Sequence, residues 1–170
     1  MNFNSYIIDF FKRHNLYDKE VFDYLSKNST MIDYKDEDQR AMIGCFYILN
    51  RREILERLQI NIPYVYDDIT ALINVHELVH GIENYKKLGK RFKKEMTVEV
   101  LPILYERLFI LENPSEKLNK YGEYLDNIIE KSSEKEYVVA LRVRDELIKN
   151  YNYNMSKMQK MSKKLVRKYR

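Results

Sequence analysis

Apolar residues recur at helical spacing in the first 34 residues. Two segments, residues 2–15 and 18–29, each carry a stripe of apolar side chains at helical spacing, which is typical of short amphipathic helices. Asp18 stands directly before the second stripe and has the residue type of an N-cap. We therefore predict N-terminal helices within residues 1–34. The stripe residues are Tyr6, Ile7, Phe10 and Phe11 in the first segment and Val21, Phe22 and Leu25 in the second.

Residues 40–63 fit either a helix or a β-hairpin. The stretch NRREILERLQ contains strong helix formers, which would suit one long helix. However, Leu58–Ile62 alternates strictly between apolar and polar residues, and Met42–Leu49 is an apolar run with β-branched and aromatic members. We favour a β-hairpin with its turn at Asn50–Glu53.

The most regular helical pattern begins after Pro63 and extends towards Gly89. Asp67 or Asp68 can cap this helix, and Gly89 is a residue that commonly ends one. A short basic loop then leads to a second helix, which we expect to open at Thr97. These two helices span residues 67–113.

The remaining pattern predicts more helices. Pro102 lies near the start of the second helix and should bend or delay its first turn. Residues 115–154 contain two amphipathic helical patterns, and residues 155–170 form a basic tail in which Met155, Met158 and Met161 suit helix packing. The expected fold class is therefore mainly α with a small β-hairpin (α+β).

Composition agrees with one soluble domain over residues 1–170. The chain is 45% hydrophobic and 33% charged, and it has only four Gly and three Pro. It has no run of 18 apolar residues that would suit a membrane span, and its first residues lack the pattern of a secretory signal. The single cysteine, Cys45, fits a reducing compartment, and its apolar neighbours suggest a small core residue. We expect a cytoplasmic protein with no membrane partner.

The net charge of +4 is concentrated at one end of the chain. Residues 155–170 carry seven of the 30 basic residues and no acidic residue. Without them the chain has 23 basic residues against 26 acidic residues, or about −3. This distribution argues against nucleic acid as a partner of the folded body and leaves the basic tail as a separate question.

Two of the three histidines lie four residues apart in the most regular helix, within NVHELVHGIE. Positions i and i+4 of a helix share a face, so His76 and His80 can both ligate one metal ion. Glu77 is offset around the helix, where it can act as a general base without binding the metal. This is the arrangement of the H-E-x-x-H zinc motif, and Zn²⁺ is the expected cofactor.

A catalytic zinc needs a third protein ligand. The third histidine, His14, is distant in the sequence, so an acid must supply this ligand. Glu99 opens the next helix and is our choice, with Glu95 and Glu106 as alternatives. Glu106 is otherwise expected to hydrogen-bond one of the histidines.

HELVH followed by TVEVLPILYE resembles the gluzincin metallopeptidases, most closely the group of thimet oligopeptidase and oligoendopeptidase F. That group has a histidine-glutamate-histidine helix and then a Val-Glu segment with a nearby proline and a second glutamate seven residues on. Glu99 and Glu106 reproduce the spacing of the glutamates, whereas Pro102 is shifted by one. The resemblance covers about 65 residues and implies a zincin-like minimal catalytic domain, with an HExxH helix and a glutamate helix, that hydrolyses a peptide or protein substrate. The strand around Leu58–Ile62 could pair with such a substrate, in extended form, through backbone hydrogen bonds.

The chain also departs from that group. Val79 stands where the group has Gly, Glu83 replaces a further histidine, and the loop to the third ligand is shorter. The full-length relatives are several times larger, so this chain would hold only their catalytic core, which leaves room for a protein partner that completes the cleft. In the group, a tyrosine from a C-terminal helix hydrogen-bonds the developing oxyanion, and Tyr137 is the candidate here.

The sequence leaves other functions open. The chain could be a catalytically silent zinc-binding interaction module, because it is short and has no substrate domain. It could be a regulatory intracellular zincin, although the residue pattern that usually follows the H-E-x-x-H motif in such proteins is absent. It could also associate with nucleic acid through the tail at residues 155–170.

Overall fold

A computed structural model describes most of the chain, in two compact units that comprise residues 1–93 and 94–170. The single domain expected over residues 1–170 stays a prediction. The described residues are 3–33, 44–49, 56–85, 99–133 and 135–169.

The first unit combines helices with a small sheet. Asn4 caps the first helix by accepting a hydrogen bond from the Tyr6 N–H at 2.9 Å. Asp18 caps the second helix, as predicted, by accepting from Glu20 N–H at 2.9 Å and Val21 N–H at 3.3 Å. The elements of the unit are α1 (Ser5–Arg13), α2 (Lys19–Lys27), β1 (Ser29–Ile32), β2 (Gly44–Leu49), β3 (Glu56–Pro63) and α3 (Asp68–Tyr85).

The sheet of the first unit has three strands in the order β1-β3-β2. β2 and β3 run antiparallel, with Cys45 opposite Ile60. The two strands predicted for the hairpin are therefore present and paired, and the long-helix alternative is wrong. The predicted turn at Asn50–Glu53 lies outside the described residues.

The strand β1 was not predicted, because helices were the only elements expected within residues 1–34. α2 ends at Lys27, and Ser29–Ile32 runs parallel to β3. Ile60 N–H donates to the Asn28 carbonyl at 3.1 Å, and Tyr64 N–H donates to the Ile32 carbonyl at 3.0 Å. Four residues are too few to display an alternating pattern, and the strand depends on distant hydrogen-bond partners.

β3 lies between two strands, which overturns a further expectation. Leu58–Ile62 was expected to pair with an extended substrate through its backbone. Its hydrogen-bonding edges are instead taken by β1 on one side and β2 on the other. An extended peptide could add only to an outer strand.

The motif helix α3 packs on the inner face of β3. Alternate residues of β3 are fully buried, which matches the period of two expected for a strand with one face in the core. α3 buries most of its circumference, and α1 and α2 also contact it. The buried side chains are Leu58, Ile60 and Ile62 of β3 and Leu72, Val75, Leu78 and Val79 of α3.

The described part of the second unit is helical. Ser115 caps the second of its helices by accepting from Leu118 N–H at 3.1 Å. Pro102 lies in the first turn of the first helix, where its missing N–H would have no helical partner in any case. Thr97, the expected start of that helix, lies outside the described residues. The elements are α4 (Val100–Glu112), α5 (Glu116–Glu130), α6 (Lys135–Lys149) and α7 (Met155–Tyr169).

The basic tail is a helix. Met155 and Met158 of α7 are buried and Met161 is half-buried, which confirms their predicted role in helix packing. α7 contacts α6 and α4. Among the described residues no helix has the length and apolar character needed to cross a membrane. The coarse fold class, mainly α with a small sheet (α+β), is confirmed.

Candidate metal centre

A reciprocal cap fixes the start of the motif helix α3. Thr70 N–H donates to Asp67 Oδ1 at 2.9 Å, and Asp67 N–H donates to Thr70 Oγ1 at 3.0 Å. Each side chain therefore satisfies a backbone group of the other residue, in the manner of a capping box. Asp67 lies nine residues and Thr70 six residues before His76, and the pair sets the register of the helix at its first turn.

Asn74 ties α3 to the end of the central strand. Its side chain is 2% exposed, and its Nδ2 donates to the Pro63 carbonyl at 2.7 Å and to the Thr70 carbonyl at 3.0 Å. A buried amide that makes both hydrogen bonds fixes the position of the helix against the strand more tightly than apolar packing alone. This anchor lies two residues before His76.

Gly81 brings the helix backbone close to the sheet. A Cβ atom at this position would lie 2.4 Å from Ile60 Cδ1 and 3.1 Å from the nearest methyl carbon of Leu25. Gly81 follows His80 directly, and successive residues of a helix are about 100° apart around its axis. The close contact with the sheet therefore directs the two histidines to a different face of the helix.

His76 and His80 lie side by side on that face. Their Nε2 atoms are 3.1 Å apart, their ring centroids are 4.8 Å apart, and the ring planes meet at 70°. Two nitrogens bound at 2.0–2.1 Å to a tetrahedral zinc ion would be about 3.3 Å apart. The pair therefore already has nearly the separation that two zinc ligands need. In the absence of metal, the same distance allows one ring to donate a hydrogen bond to the other.

Burial distinguishes the three motif residues. His80 is 8% exposed, Glu77 is 9% exposed, and His76 is half-buried. Glu77 is one residue past His76 and so lies about 100° around the helix from it. A carboxylate at this position is beside the imidazole pair and largely shielded from bulk water. These residues of α3 can supply two neutral nitrogen ligands and one adjacent base.

The other predicted site residues belong to the second unit. Glu99 occupies the N-cap position of α4 and is half-buried, and its carboxylate makes no capping hydrogen bond to that helix. Glu106 is half-buried in α4, and Tyr137 is half-buried in α6. Their placement at the histidine pair remains a prediction. Glu95, the alternative ligand, lies outside the described residues.

The sequence reasoning missed several residues that support these elements. Asn74 was not singled out, although a polar residue in the middle of an apolar helix is a usable signal. In the second unit, Tyr105 is fully buried and its ring contacts that of Tyr151 at 6.2 Å between centroids. Burial, together with the Tyr105 hydroxyl, raises the pKa of Tyr151, so Tyr151 stays a hydrogen-bond donor at any physiological pH.

Comparison of the chain with protein-family models, with curated proteins and with solved structures finds no match.

Proposed function

We propose that this protein is a zinc-dependent metallopeptidase. The observation that carries the proposal is the pair of Nε2 atoms 3.1 Å apart on one face of α3, with Glu77 beside them. Two imidazoles at i and i+4 with an adjacent buried glutamate constitute the donor set and base of the H-E-x-x-H zinc chemistry. The similarity of the motif and of its downstream glutamates to those of the gluzincin peptidases also supports a zinc-dependent peptidase.

The proposed ligand set is His76, His80 and Glu99. Two neutral nitrogens and one carboxylate suit Zn²⁺, which favours imidazole and carboxylate ligands in catalytic sites and keeps one position for water. When bound, zinc supplies a Lewis acid that acidifies a water molecule and polarises a peptide carbonyl.

Glu77 then has the role of proton carrier. Its carboxylate accepts the proton of the attacking water and passes it to the amine of the cleaved peptide. Tyr137 is proposed to donate a hydrogen bond to the oxygen of the carbonyl under attack, where negative charge develops. Glu106 is proposed to hold one imidazole in the tautomer that leaves its Nε2 lone pair available. An extended substrate would pair with an outer strand, β1 or β2, because β3 is already paired on both sides.

The first test is metal content measured on the purified full chain. We expect about one equivalent of zinc in the parent protein and loss of zinc in His76→Ala, His80→Ala and Glu99→Ala. Glu123→Ala is the matched control, because Glu123 is an exposed glutamate of α5. A parent protein without stoichiometric metal would overturn the proposal. Full metal content in Glu99→Ala alone would move the third ligand to Glu95 or Glu106.

The second test separates catalysis from binding. Glu77→Gln should keep its zinc and lose peptide hydrolysis, because the amide cannot accept the proton. Hydrolysis of a broad peptide library is measured for the parent, Glu77→Gln and Glu123→Ala. A Gln variant as active as the parent would refute the mechanism. A parent that binds zinc and cleaves no peptide would be a silent zinc-binding module instead.

A further inference from the structure

The exposed face of α7 consists almost entirely of basic side chains. Six cationic residues and Ser156 are exposed, and they occupy about 140° of the helix circumference when placed at 100° per residue. α7 contains no acidic residue. The six are Lys157, Lys160, Lys163, Lys164, Arg167 and Lys168.

The opposite face of α7 is already used. Met155, Met158, Ser162 and Val166 are each no more than 6% exposed, and the helix packs on α6 and α4 of the same unit. The cations are thus carried on a docked helix and do not belong to a loose terminal segment. Their positions relative to one another are set by the helix.

The arrangement carries repulsion within the chain. Lys160, Lys164 and Lys168 follow one another at i+4, and like charges at this spacing destabilise a helix. Lys168 has an acidic neighbour, because its Nζ lies 3.3 Å from Glu146 Oε1. A bound row of negative charges along this face would reduce the repulsion between these lysines and would itself be attracted to them.

We propose that the basic face of α7 binds the phosphate backbone of double-stranded nucleic acid. From Lys157 to Lys168 the face is about 16 Å long, and its successive turns present cations about 5 Å apart. A duplex carries one phosphate for about every 1.7 Å of its axis, so roughly ten phosphates lie within this length. The proposed binding is independent of base sequence, because it rests on contacts to phosphates, which carry no sequence information.

Two other polyanions fit the structure less well. A membrane-bound amphipathic helix inserts its apolar face among lipids, but the apolar face of α7 is buried within the unit. A single-stranded nucleic acid is held largely by stacking on aromatic rings, and no aromatic residue lies on the exposed face of α7. A duplex requires only the charges.

The test compares two variants of the full chain that lose the same amount of charge. The affinity of the parent and of each variant for a fluorescent 20-base-pair duplex of arbitrary sequence is measured by fluorescence anisotropy at salt concentrations from 50 to 200 mM. The face variant replaces Lys157, Lys160, Lys164 and Arg167 with Gln. The control variant replaces four exposed lysines on other elements, Lys12, Lys27, Lys117 and Lys131, with Gln. The circular dichroism of both variants should match the parent, since every replaced side chain is exposed.

We expect the parent to lose about 100-fold in affinity from 50 to 200 mM salt, as four phosphate contacts would give. The face variant should lose most of its affinity and most of its salt dependence, and the control variant should keep both. Equal losses in the two variants would overturn the proposal, because they would reflect net charge alone. Absence of duplex binding would also overturn it, as would binding to phosphatidylserine vesicles or single strands in preference to the duplex. The Glu77→Gln protein should bind the duplex as the parent does, so the test of duplex binding is independent of the test of peptide hydrolysis.

Discussion

Replacing Gly81 with Ala tests how α3 is seated on the sheet. The added Cβ would lie 2.4 Å from Ile60 Cδ1, whereas carbon atoms in good contact are about 3.5–4.0 Å apart. Ile60 and Leu25 are both fully buried, so neither has open space into which to move. The Ile60 side chain or the helix must shift by about 1 Å or more.

The two opposing effects of Gly81→Ala can be compared. Overpacking of a filled core costs about 1–3 kcal/mol, and the severity of this contact places it near the upper end. Ala is favoured over Gly in a helix by about 1 kcal/mol. The net expectation is a loss of about 2 kcal/mol in the free energy of unfolding.

A double-mutant cycle isolates the contact. Ile60→Val removes the same Cδ1 atom that the new Cβ would meet, and alone it should cost about 0.5–1.5 kcal/mol. In the double variant the clash is largely relieved and the helical preference of Ala is retained, so its loss should be about 1 kcal/mol or less. Urea unfolding of the four proteins would then show a coupling of about 2 kcal/mol.

The cycle also tests whether a side chain at residue 81 contacts Ile60 at all. If the two single losses simply add within about 0.5 kcal/mol, the contact between residue 81 and Ile60 does not exist as described. The same substitution at Gly122 of α5 is a milder comparison, because its Cβ would lie 2.9 Å from Ile110 Cδ1. Gly122→Ala should therefore cost less than Gly81→Ala.

Two further predictions concern polar anchors. Asn74→Ala removes the hydrogen bond to the buried Pro63 carbonyl and should lower the free energy of unfolding by about 1–3 kcal/mol in a urea titration, while an unchanged midpoint would contradict its role as an anchor. Asp126→Ala removes a 2.6 Å ion pair with the buried Arg144 and should lower the free energy of unfolding by about 1–3 kcal/mol in the same titration. Asp145→Ala should lower it by less than about 1 kcal/mol, because the Asp145 side chain is 65% exposed. A larger loss in Asp145→Ala than in Asp126→Ala would contradict this assignment of the ion pairs.

Residue patterns predicted the elements whose signal is local. Asp18 caps α2 as its residue type indicates, and α3 begins at Asp68 as the paired aspartates suggest. The alternation in Leu58–Ile62 identified β3 against a competing helical propensity, because the alternating positions are the ones the fold buries. The i, i+4 spacing placed His76 and His80 together.

The elements that sequence reasoning missed depend on partners far along the chain. β1 exists because its backbone pairs with β3, some 30 residues later, and four residues carry no period of their own. The same pairing encloses β3, so its assignment as a substrate-binding strand could not be judged before the strand order was known. The docking of α7, by contrast, was predicted in part. Its methionines indicated a buried stripe, although the charge of the segment suggested only a basic tail.

The helix α3 carries both residues that hold it to the sheet and the proposed metal ligands, so metal binding should change the stability of the fold. Asn74 and Gly81 hold one side of the helix to the sheet, and His76 and His80 project from another side. A ligand that binds only the folded protein stabilises it by about 2.7 kcal/mol at 100 times its dissociation constant. The proposed zinc, bound at the histidine pair, should therefore raise the free energy of unfolding of Gly81→Ala and of the parent alike, and a chelator should remove that gain. The same substitution in a His76→Ala background should respond to neither zinc nor chelator, since the ligand pair that links metal to folding is gone.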